Sequence, residues 1–455
     1  MDRFKHSGTP ADTTILSRRR ALQLGGAALA LGGASAISGT QGALALGASS
    51  PSPSADLVYA SSFGYDPDDA TDALQAALDS SAHTVVIDDV GSEWLTRPLF
   101  LNRDNICIVV EPGVTVRAKP GGFPGTSDKL LNITGRQNVT LLGYAATFAM
   151  NKQEYIDLND GSQWRPAIYI GSCSNIRIEG LKITGAGGDG IYLGRVRGAN
   201  QAQHPPHSTN VTIRNVTCDD NYRNGLSVVS VDGLLVEGSA FINSRGQNPQ
   251  AGIDFEPNLS DEQISRAVVR DTVMDRNVNA NLYIVLRHPS EYAAPIDLLV
   301  DRVYIGRQHE TSTYAVSLMI QTPSGVDPGG RIELRDSLIE SNPASCSTLI
   351  GGKQASGVDL VFTRTVAINM GNESSHYPPI YLTGLSGVSE FGGISWDDCS
   401  MFVDQPVAFL RANAPEGSPV IRDLAGNITV VNPHGVWTDL GDNTEDITLA
   451  VRALE

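Results

Sequence analysis

The chain has 455 residues and is strongly acidic, with 33 Lys and Arg against 50 Asp and Glu and a formal net charge of −17. Such a surface repels nucleic acid and anionic lipid, so we expect neither as a partner. Glycine is abundant at 46 residues and only 18% of residues are charged, which indicates a folded chain rich in strands and turns. The five cysteines lie far apart, without a CxxC pair, which disfavours a disulfide scaffold and a zinc site: Cys107, Cys173, Cys218, Cys346 and Cys399.

Residues 1–45 have the pattern of a twin-arginine signal peptide. Arg18, Arg19 and Arg20 precede a soft Ala/Gly/Leu run, and Ala43-Leu44-Ala45 supplies a small-x-small cleavage site. The run is too short and too weakly apolar for a membrane span, and its glycines favour the twin-arginine route over an ordinary Sec signal. Residues 46–56 form a flexible polar linker. We therefore expect export by the twin-arginine translocase to the outside of the cell, with the periplasm as the alternative location.

Internal repeats then dominate the chain. The segment from Asn210 (NVTIRNVTCDDNYRNGLSVV) aligns without a gap on the segment from Asn175 (NIRIEGLKITGAGGDGIYLG), and the segment from Ala267 repeats both. Each unit contains two or three short strands of period 2. Leucine-rich, helical and propeller repeats do not fit this length and period. The pattern predicts a single-stranded parallel β-helix, in which coils stack at the ~4.8 Å spacing of strands.

The alignment also predicts which side chains face the core. One inward row is Ile168, Ile191, Leu226, Ile253, Leu282, Val316 and Ile380, and a second is Ile183, Cys218, Phe241 and Met274. The alternating outward row is Tyr169, Tyr192, Ser227, Asp254, Tyr283, Ser317 and Tyr381. A slip of one residue would exchange the inward and outward sets, so the register is strongly specified.

The expected β-helix spans residues 57–430. An amphipathic segment after Asp68 predicts a helix over residues 70–80, which would cap the open N-terminal end of the solenoid. Residues 431–455 are expected to form a C-terminal cap.

Phe63-GYDPDDATDALQAALDS, followed by coils that contain GGDGIYLG and GIDFEPN, resembles bacterial secreted proteins of the pectate-lyase-like superfamily. The resemblance covers roughly residues 57–430 and implies a right-handed parallel β-helix. It also implies a carbohydrate-active protein, because this superfamily includes polysaccharide lyases, polygalacturonase-type glycoside hydrolases and mannuronan epimerases. The fold alone does not determine which reaction applies.

Acidic residues concentrate on neighbouring coils in the middle of the solenoid. The candidate catalytic residues are Asp189, Asp219, Asp220, Asp254 and Glu256. Asp254 and Glu256 are two residues apart on one strand, about 6.6–7 Å, which falls in the ~6.5–9.5 Å window of inverting glycosidases. Like charges at this spacing repel, which predicts separated pKa values and an acid/base pair. Their sequence does not tell which carboxylate is the acid.

Aromatic and basic residues near these carboxylates are candidates for binding a sugar. Aromatic rings stack on apolar sugar faces, and arginine binds carboxylates in a bidentate manner. The candidate substrate-binding residues are Trp164, Arg165, Tyr192, Arg223, Tyr283, Arg287 and His288. The insertions at residues 152–164 and 195–208 are expected to project as loops on either side of this face.

Three functions are compatible with this pattern. An inverting glycoside hydrolase would use the carboxylate pair directly and need no cofactor. A polysaccharide lyase or uronate epimerase would hold Ca²⁺ on Asp219, Asp254 and Glu256, with Arg287 or His288 as base. A non-catalytic solenoid would only bind carbohydrate. The hydrolase is the main hypothesis, because no basic face that would attract a polyanion is apparent.

Overall fold

A computed structural model describes residues 56–286, 288, 291–309, 316–322, 328–342, 346–369 and 378–454. The predicted signal peptide, residues 46–55 of the predicted linker, and Arg287 lie outside the described residues.

Two α-helices lie in the described part of the chain, α1 (Thr71–Asp79) and α2 (Lys152–Asp157), together with three short 3-10 helices at Ala60–Phe63, Gln201–Gln203 and Leu385–Gly387. In α1, Leu74 and Leu78 are buried on one face, against strands of the first coils. A backbone N–H of the first turn, that of Thr71, donates to the Asp69 carboxylate at 3.1 Å, as acidic groups at helix N-termini commonly do. The predicted capping helix is therefore confirmed.

The strands are short and repeat in groups of three along the chain. Their bounds are β1 (Leu57–Tyr59), β2 (Thr84–Ile87), β3 (Trp94–Thr96), β4 (Leu99–Leu101), β5 (Ile106–Val110), β6 (Thr115–Ala118), β7 (Leu131–Thr134), β8 (Gln137–Leu142), β9 (Thr147–Ala149), β10 (Ile168–Gly171), β11 (Ser174–Glu179), β12 (Lys182–Thr184), β13 (Ile191–Gly194), β14 (Ser208–Arg214), β15 (Thr217–Asp219), β16 (Leu226–Val228), β17 (Val231–Glu237) and β18 (Ala240–Ile242). They continue as β19 (Ile253–Phe255), β20 (Ile264–Arg270), β21 (Val273–Asp275), β22 (Ala280–Val285), β23 (Ile296–Asp301), β24 (Tyr304–Ile305), β25 (Val316–Gln321), β26 (Gly330–Arg335), β27 (Leu338–Ser341), β28 (Thr348–Gly351), β29 (Asp359–Thr363), β30 (Val366–Asn369), β31 (Ile380–Thr383), β32 (Glu390–Val403), β33 (Leu410–Ala412), β34 (Val420–Val431), β35 (Thr438–Asp439) and β36 (Ile447–Leu454).

These strands form two parallel sheets. The second sheet has 12 strands: every third strand from β4 to β31, followed by β33 and β35. The other 24 strands form the first sheet. Each complete coil thus contributes two strands to the first sheet and one to the second, and each strand pairs with its equivalent in the next coil. This arrangement is a parallel β-helix, and its core lies between the sheets.

The observed register confirms most of the predicted rows. Ile168, Ile191, Leu226, Ile253 and Leu282 are consecutive partners in the second sheet. Ile183, Cys218, Phe241 and Met274 are consecutive partners in the first sheet and are fully buried. All five cysteines are free.

The prediction for Val316 and Ser317 was wrong by two residues. Leu318 pairs with Leu282, and Met319 pairs with Tyr283, whereas Val316 pairs with Ala280. A shift of two residues preserves the alternation of inward and outward side chains, and Val316 and Leu318 are both buried, so the apolar pattern does not distinguish the two positions.

The predicted boundary at residue 430 does not divide the sheet. Strand β34 crosses it, and β36 pairs with β34 in parallel from Ile447 to Leu454. The alternation of apolar residues in the final strand extends the coil pattern, so the first sheet runs to the end of the described chain.

Candidate functional site

Three tight turns at the entrance of the second sheet position the candidate carboxylates. Gly190, Gly225 and Gly252 precede β13, β16 and β19, and each is in close contact with the next coil. A Cβ at Gly190 would lie 2.7 Å from the carbonyl oxygen of Gly225, and a Cβ at Gly225 the same distance from that of Gly252. Glycine therefore allows these coils to stack closely, which brings the turn residues next to one another.

Asp254 lies at the centre of the site and is fully buried. It belongs to the predicted outward row, between Ser227 and Tyr283, but it is not exposed to solvent as that row suggested. Its Oδ2 accepts a hydrogen bond from the Asn224 side chain at 3.1 Å, while its Oδ1 has no hydrogen-bond partner among the described residues. Burial raises the pKa of Asp254 well above its ordinary value, and the neighbouring Glu256 raises it further.

Arg223 joins three carboxylates. Its guanidinium nitrogens lie 3.4 Å from Asp189, 3.8 Å from Asp254 and 3.3 Å from Glu256. Burial opposes the charge of Arg223, but the three carboxylates outweigh it and raise the pKa of this residue. Arg223, a candidate substrate-binding residue, is largely enclosed by these carboxylates, and only 14% of its side chain is exposed.

Asp189 is also buried and completes the cluster. Burial raises its pKa, while Arg223 opposes this effect. Its Oδ1 accepts the backbone N–H of Asn224 at 3.2 Å. Asp189 therefore does not lie in a solvent-exposed turn.

Sequence reasoning missed Asn224. Its side-chain oxygen accepts the Ala251 N–H at 2.9 Å, and its amide nitrogen donates to both Ser227 and Asp254. Asn224 thereby connects the Asp189 turn to the Asp254 strand. The repeat contained a usable signal, because Asn224 aligns with Asp189 one coil later.

Glu256 and His288 are the more accessible members of the cluster. Oε2 of Glu256 accepts from Arg223 at 3.3 Å, and Oε1 lies 3.1 Å from Nε2 of His288. Both carboxylate oxygens are thus held. Asp254 and Glu256 are brought together as predicted, in environments of different burial.

The structure does not bring Asp219 and Asp220 into this cluster. Asp219 accepts a hydrogen bond from Asn243 at 2.7 Å and pairs with Lys182. Asp220 pairs with Lys152 at 2.6 Å and Arg245 at 2.9 Å. Both carboxylates are therefore held by cations outside the Asp254 cluster.

The same separation bears on the predicted calcium ligands. Asp219, Asp254 and Glu256 do not form a common site, because Asp219 is bound by Lys182 and Asn243. Across the described residues, no group of three or more His, Cys, Asp and Glu side chains is arranged to hold a metal ion. The residues present do not fit the expected Ca²⁺ site.

Aromatic residues flank the cluster along the second sheet. Tyr169 and Tyr192 stack with ring centroids 5.2 Å apart, and the hydroxyl of Tyr169 donates to the Arg195 carbonyl. Tyr283, on the opposite side of Asp254, is buried and its hydroxyl donates to Gln321 at 3.4 Å. Trp164 is 57% exposed and is available for stacking on a ligand.

Arg165, a candidate substrate-binding residue, lies away from solvent. Its side chain is fully buried, forms an ion pair with Asp160, and donates to the Gly125 carbonyl at 2.9 Å. The guanidinium also lies over the Tyr155 ring. Arg165 therefore fastens the insertion of residues 152–164, which contains α2, to the preceding coil.

The second insertion is held by two ion pairs. Arg195 contacts Asp261, and Arg197 contacts Glu262, each at 2.6 Å. Glu262 is buried and also accepts the backbone N–H groups of Asn258 and Leu259. These pairs fix the loop after β13 against the segment after β19, beside Tyr192.

Comparison with known proteins supports the fold. Residues 146–285 match the family model described as "Right handed beta helix region". The Streptococcus pneumoniae surface adhesin PfbA has a TM-score of 0.57 at 12% identity, and the match covers 87% of this chain and 92% of PfbA. The Yersinia enterocolitica family 28 exopolygalacturonase has a TM-score of 0.52 at 12% identity, and the match covers 87% of this chain and 78% of that enzyme. The A-module of Azotobacter vinelandii mannuronan C-5 epimerase AlgE4 has a TM-score of 0.51 at 12% identity, and the match covers 87% of this chain and 99% of that module.

A sequence relative adds a shorter match. The uncharacterized protein YclG of Bacillus subtilis (strain 168) is 25% identical over an alignment of 224 residues. The match covers 44% of this chain and 38% of that relative. The chain has the right-handed parallel β-helix fold, and the predicted fold class is confirmed. At 12% identity these structures establish the fold and leave the reaction open. None of the helices in the described residues has the length and apolarity to cross a membrane.

Proposed function

We propose that this protein is an exported glycoside hydrolase that cleaves a poly- or oligosaccharide with inversion, with Asp254 as general acid and Glu256 as general base. The observation that carries the proposal is the different environment of two neighbouring carboxylates, one on β19 and one directly after it. Asp254 is buried and its pKa is raised, whereas Glu256 is partly exposed and held by Arg223 and His288. Pairs of carboxyl groups whose environments differ in this way commonly divide the roles of acid and base.

The geometry is compatible with inversion. Because Arg223 Nη2 lies 3.8 Å from Asp254 and 3.3 Å from Glu256, the two contacted oxygens are at most about 7 Å apart. This upper bound includes the lower end of the ~6.5–9.5 Å range in which a water fits between base and sugar, and also the ~5–5.5 Å separation of retaining enzymes. Since both oxygens of Glu256 are engaged by neighbours, this carboxylate is better suited to orient a water than to attack a sugar.

Substrate would approach from the side of Glu256 and His288, the accessible members of the cluster. Asp254 lies deeper, so the proposal requires these two side chains to move aside when a glycosidic oxygen reaches the Asp254 carboxyl. Tyr192 and the exposed Trp164 would provide aromatic surface for sugar rings. The similar fold of an exopolygalacturonase is consistent with this use of the scaffold.

The test is product analysis on a panel of polysaccharides, with wild type, Asp254→Asn and Glu256→Gln. Each single variant should lose about 10²–10⁴-fold in rate, the usual contribution of a general acid or base. The double variant should be little worse than either single variant, because the two groups act as a unit. Products should be saturated and of inverted anomeric configuration, and EDTA should leave the rate unchanged. Full activity in both single variants would contradict the assignment.

Two other outcomes would replace the proposal. Unsaturated products that absorb in the near ultraviolet, with activity lost in EDTA, would identify a metal-dependent lyase, and inverted C5 configuration without cleavage would identify an epimerase. Binding without any chemistry would indicate an adhesive solenoid. One observation favours this last function: Arg223 contacts all three carboxylates, so the cluster is largely satisfied without a ligand.

A further inference from the structure

The charges around the site bear on the class of sugar that it would accept. Three carboxylates, Asp189, Asp254 and Glu256, share a single guanidinium, that of Arg223. If both buried aspartates are protonated, the charge of these four groups is zero, and each ionised aspartate makes it more negative. At neutral pH these four groups therefore carry no net positive charge.

Within the described ranges, three cations near Tyr169 and Tyr192 are also engaged. The guanidinium of Arg197, beside Tyr192, is paired with Glu262 at 2.6 Å, and Arg195 is buried and paired with Asp261. Lys129 lies over the Tyr169 ring, three coils before Asp254. Three coils correspond to about 14 Å, which exceeds the Debye length of ~8 Å at physiological salt.

We infer that this site takes a neutral glycan and discriminates against polyuronates. The inference rests on the proposed function and adds its substrate class. A uronate carboxylate placed near Glu256 would meet like charge at short range, which strongly disfavours association. Stacking on Trp164 or Tyr192 does not depend on charge and would serve a neutral sugar equally well.

Binding to the Asp254→Asn variant tests the inference without turnover. The probes are xylohexaose, cellohexaose and mannohexaose, compared with hexamers of galacturonate and mannuronate by titration calorimetry. At least one neutral probe should bind about tenfold or more tightly than either uronate, and its affinity should change little with added NaCl. If Asp254 is ionised, the substitution removes a negative charge, which would favour the uronates and make the test conservative.

A second variant tests the cause. Glu262→Gln keeps the acceptor for the backbone of residues 258 and 259 but leaves Arg197 without its charge partner. It should improve uronate binding several-fold while neutral binding stays constant. Asp261→Asn is the matched control, because its partner Arg195 is buried and cannot reach a ligand.

The outcomes separate the two levels of the proposal. Tighter binding or faster cleavage of a uronate by the wild type would overturn the inference about substrate class and leave the hydrolase proposal intact. Absence of binding and cleavage for every probe and every polysaccharide of the panel would overturn the proposed function, and the inference with it.

Discussion

At the scale of single residues, Asp254 combines full burial with an oxygen that has no hydrogen-bond partner in the described residues. Such a group lowers the stability of the folded protein, so its presence calls for a reason other than stability. Catalysis would be such a purpose, because functional sites are where destabilising groups are retained. This cost gives a prediction that does not depend on knowing the substrate.

We expect Asp254→Asn to stabilise the protein, by about 1–3 kcal/mol at neutral pH. The pKa of Asp254 is raised in the folded protein, so its stability contribution is retained below the unfolded pKa of about 3.9 and is lost as pH rises through the folded value. The gain from Asp254→Asn should therefore grow as pH rises. Thermal denaturation between pH 4 and pH 8 measures it, with Asp219→Asn as the control for loss of a partly exposed carboxylate. A constant or negative difference would contradict the burial argument.

Arg223 should matter for stability because it neutralises buried carboxylates. Arg223→Met should cost about 3–5 kcal/mol, as expected when one partner of a buried ion pair is removed. The cost should be smaller when Asp189→Asn is already present, because one buried charge then needs no partner. Chemical denaturation of the two single variants and the double variant measures this coupling. Arg276→Met, which removes an exposed guanidinium, is the control, and additive effects in the cycle would show that the pair does not interact.

At the scale of elements, the first sheet carries a ladder of alternating charges. The ladder occupies equivalent positions on six successive coils: Glu179, Arg214, Glu237, Arg270, Asp301 and Arg335. Glu237 contacts Arg214 at 2.7 Å and Arg270 at 2.6 Å. Cross-strand pairs of opposite charge stabilise a sheet and like pairs destabilise it. The ladder therefore favours one register for the stacking of coils.

Reversal of one charge in this ladder should be more harmful than its neutralisation. Glu237→Gln should cost about 0.5–1 kcal/mol, and Glu237→Lys about 1–2 kcal/mol more, because two arginines would then face a like charge. Urea denaturation measures both values. Glu291→Lys, at an exposed loop position, should change stability by less than about 0.5 kcal/mol. Equal effects of Glu237→Gln and Glu237→Lys would rule out an electrostatic role for the ladder.

At the scale of the whole molecule, a solenoid has contacts mainly between neighbouring coils, so its stability is approximately a sum of local terms. Helix α1 covers the N-terminal end and buries Leu74. A destabilising substitution at this end should therefore lower the stability of the neighbouring coils, with an effect that decreases along the axis of the solenoid.

Leu74→Ala should accelerate amide hydrogen exchange in α1 and in the first coils, β2 to β4. The cavity left by this substitution typically costs about 2–5 kcal/mol. Strands β17 and β20, in the middle of the solenoid, should keep their wild-type protection. Hydrogen exchange with mass spectrometry resolves these segments, and Ala77→Gly on the same helix provides a milder comparison. Equal loss of protection in all strands would indicate a single cooperative unit.

Export remains a prediction for the whole chain. Joint substitution of Arg18 and Arg19 by Lys should retain the protein in the cytoplasm if the twin-arginine translocase carries it. Cell fractionation and immunoblotting measure the distribution, with Arg3→Lys as the control outside the arginine motif. Normal export of the double variant would indicate an ordinary Sec signal instead.

The sequence by itself determined the repeat, the alternation of inward and outward residues and the capping helix. These depend on periodic patterns that are local or repeat at short intervals, and the stacked row from Ile168 to Leu282 follows from them. It also predicted that Asp254 and Glu256 lie close together, although Glu256 follows the end of β19 rather than lying on the strand.

The tertiary structure alone decided which charges meet and how deeply they are buried. Arg165 and Arg223 look alike in sequence, yet one is enclosed by Asp160 and Tyr155 while the other joins three carboxylates. Asp219 lies on β15 in the first sheet. Ser227, the cross-strand partner of Asp254, lies on β16 in the second sheet, so Asp219 and Ser227 share neither register nor partners. Side-chain reach and the cover supplied by neighbouring coils are properties of the folded arrangement, and no periodicity in the chain encodes them.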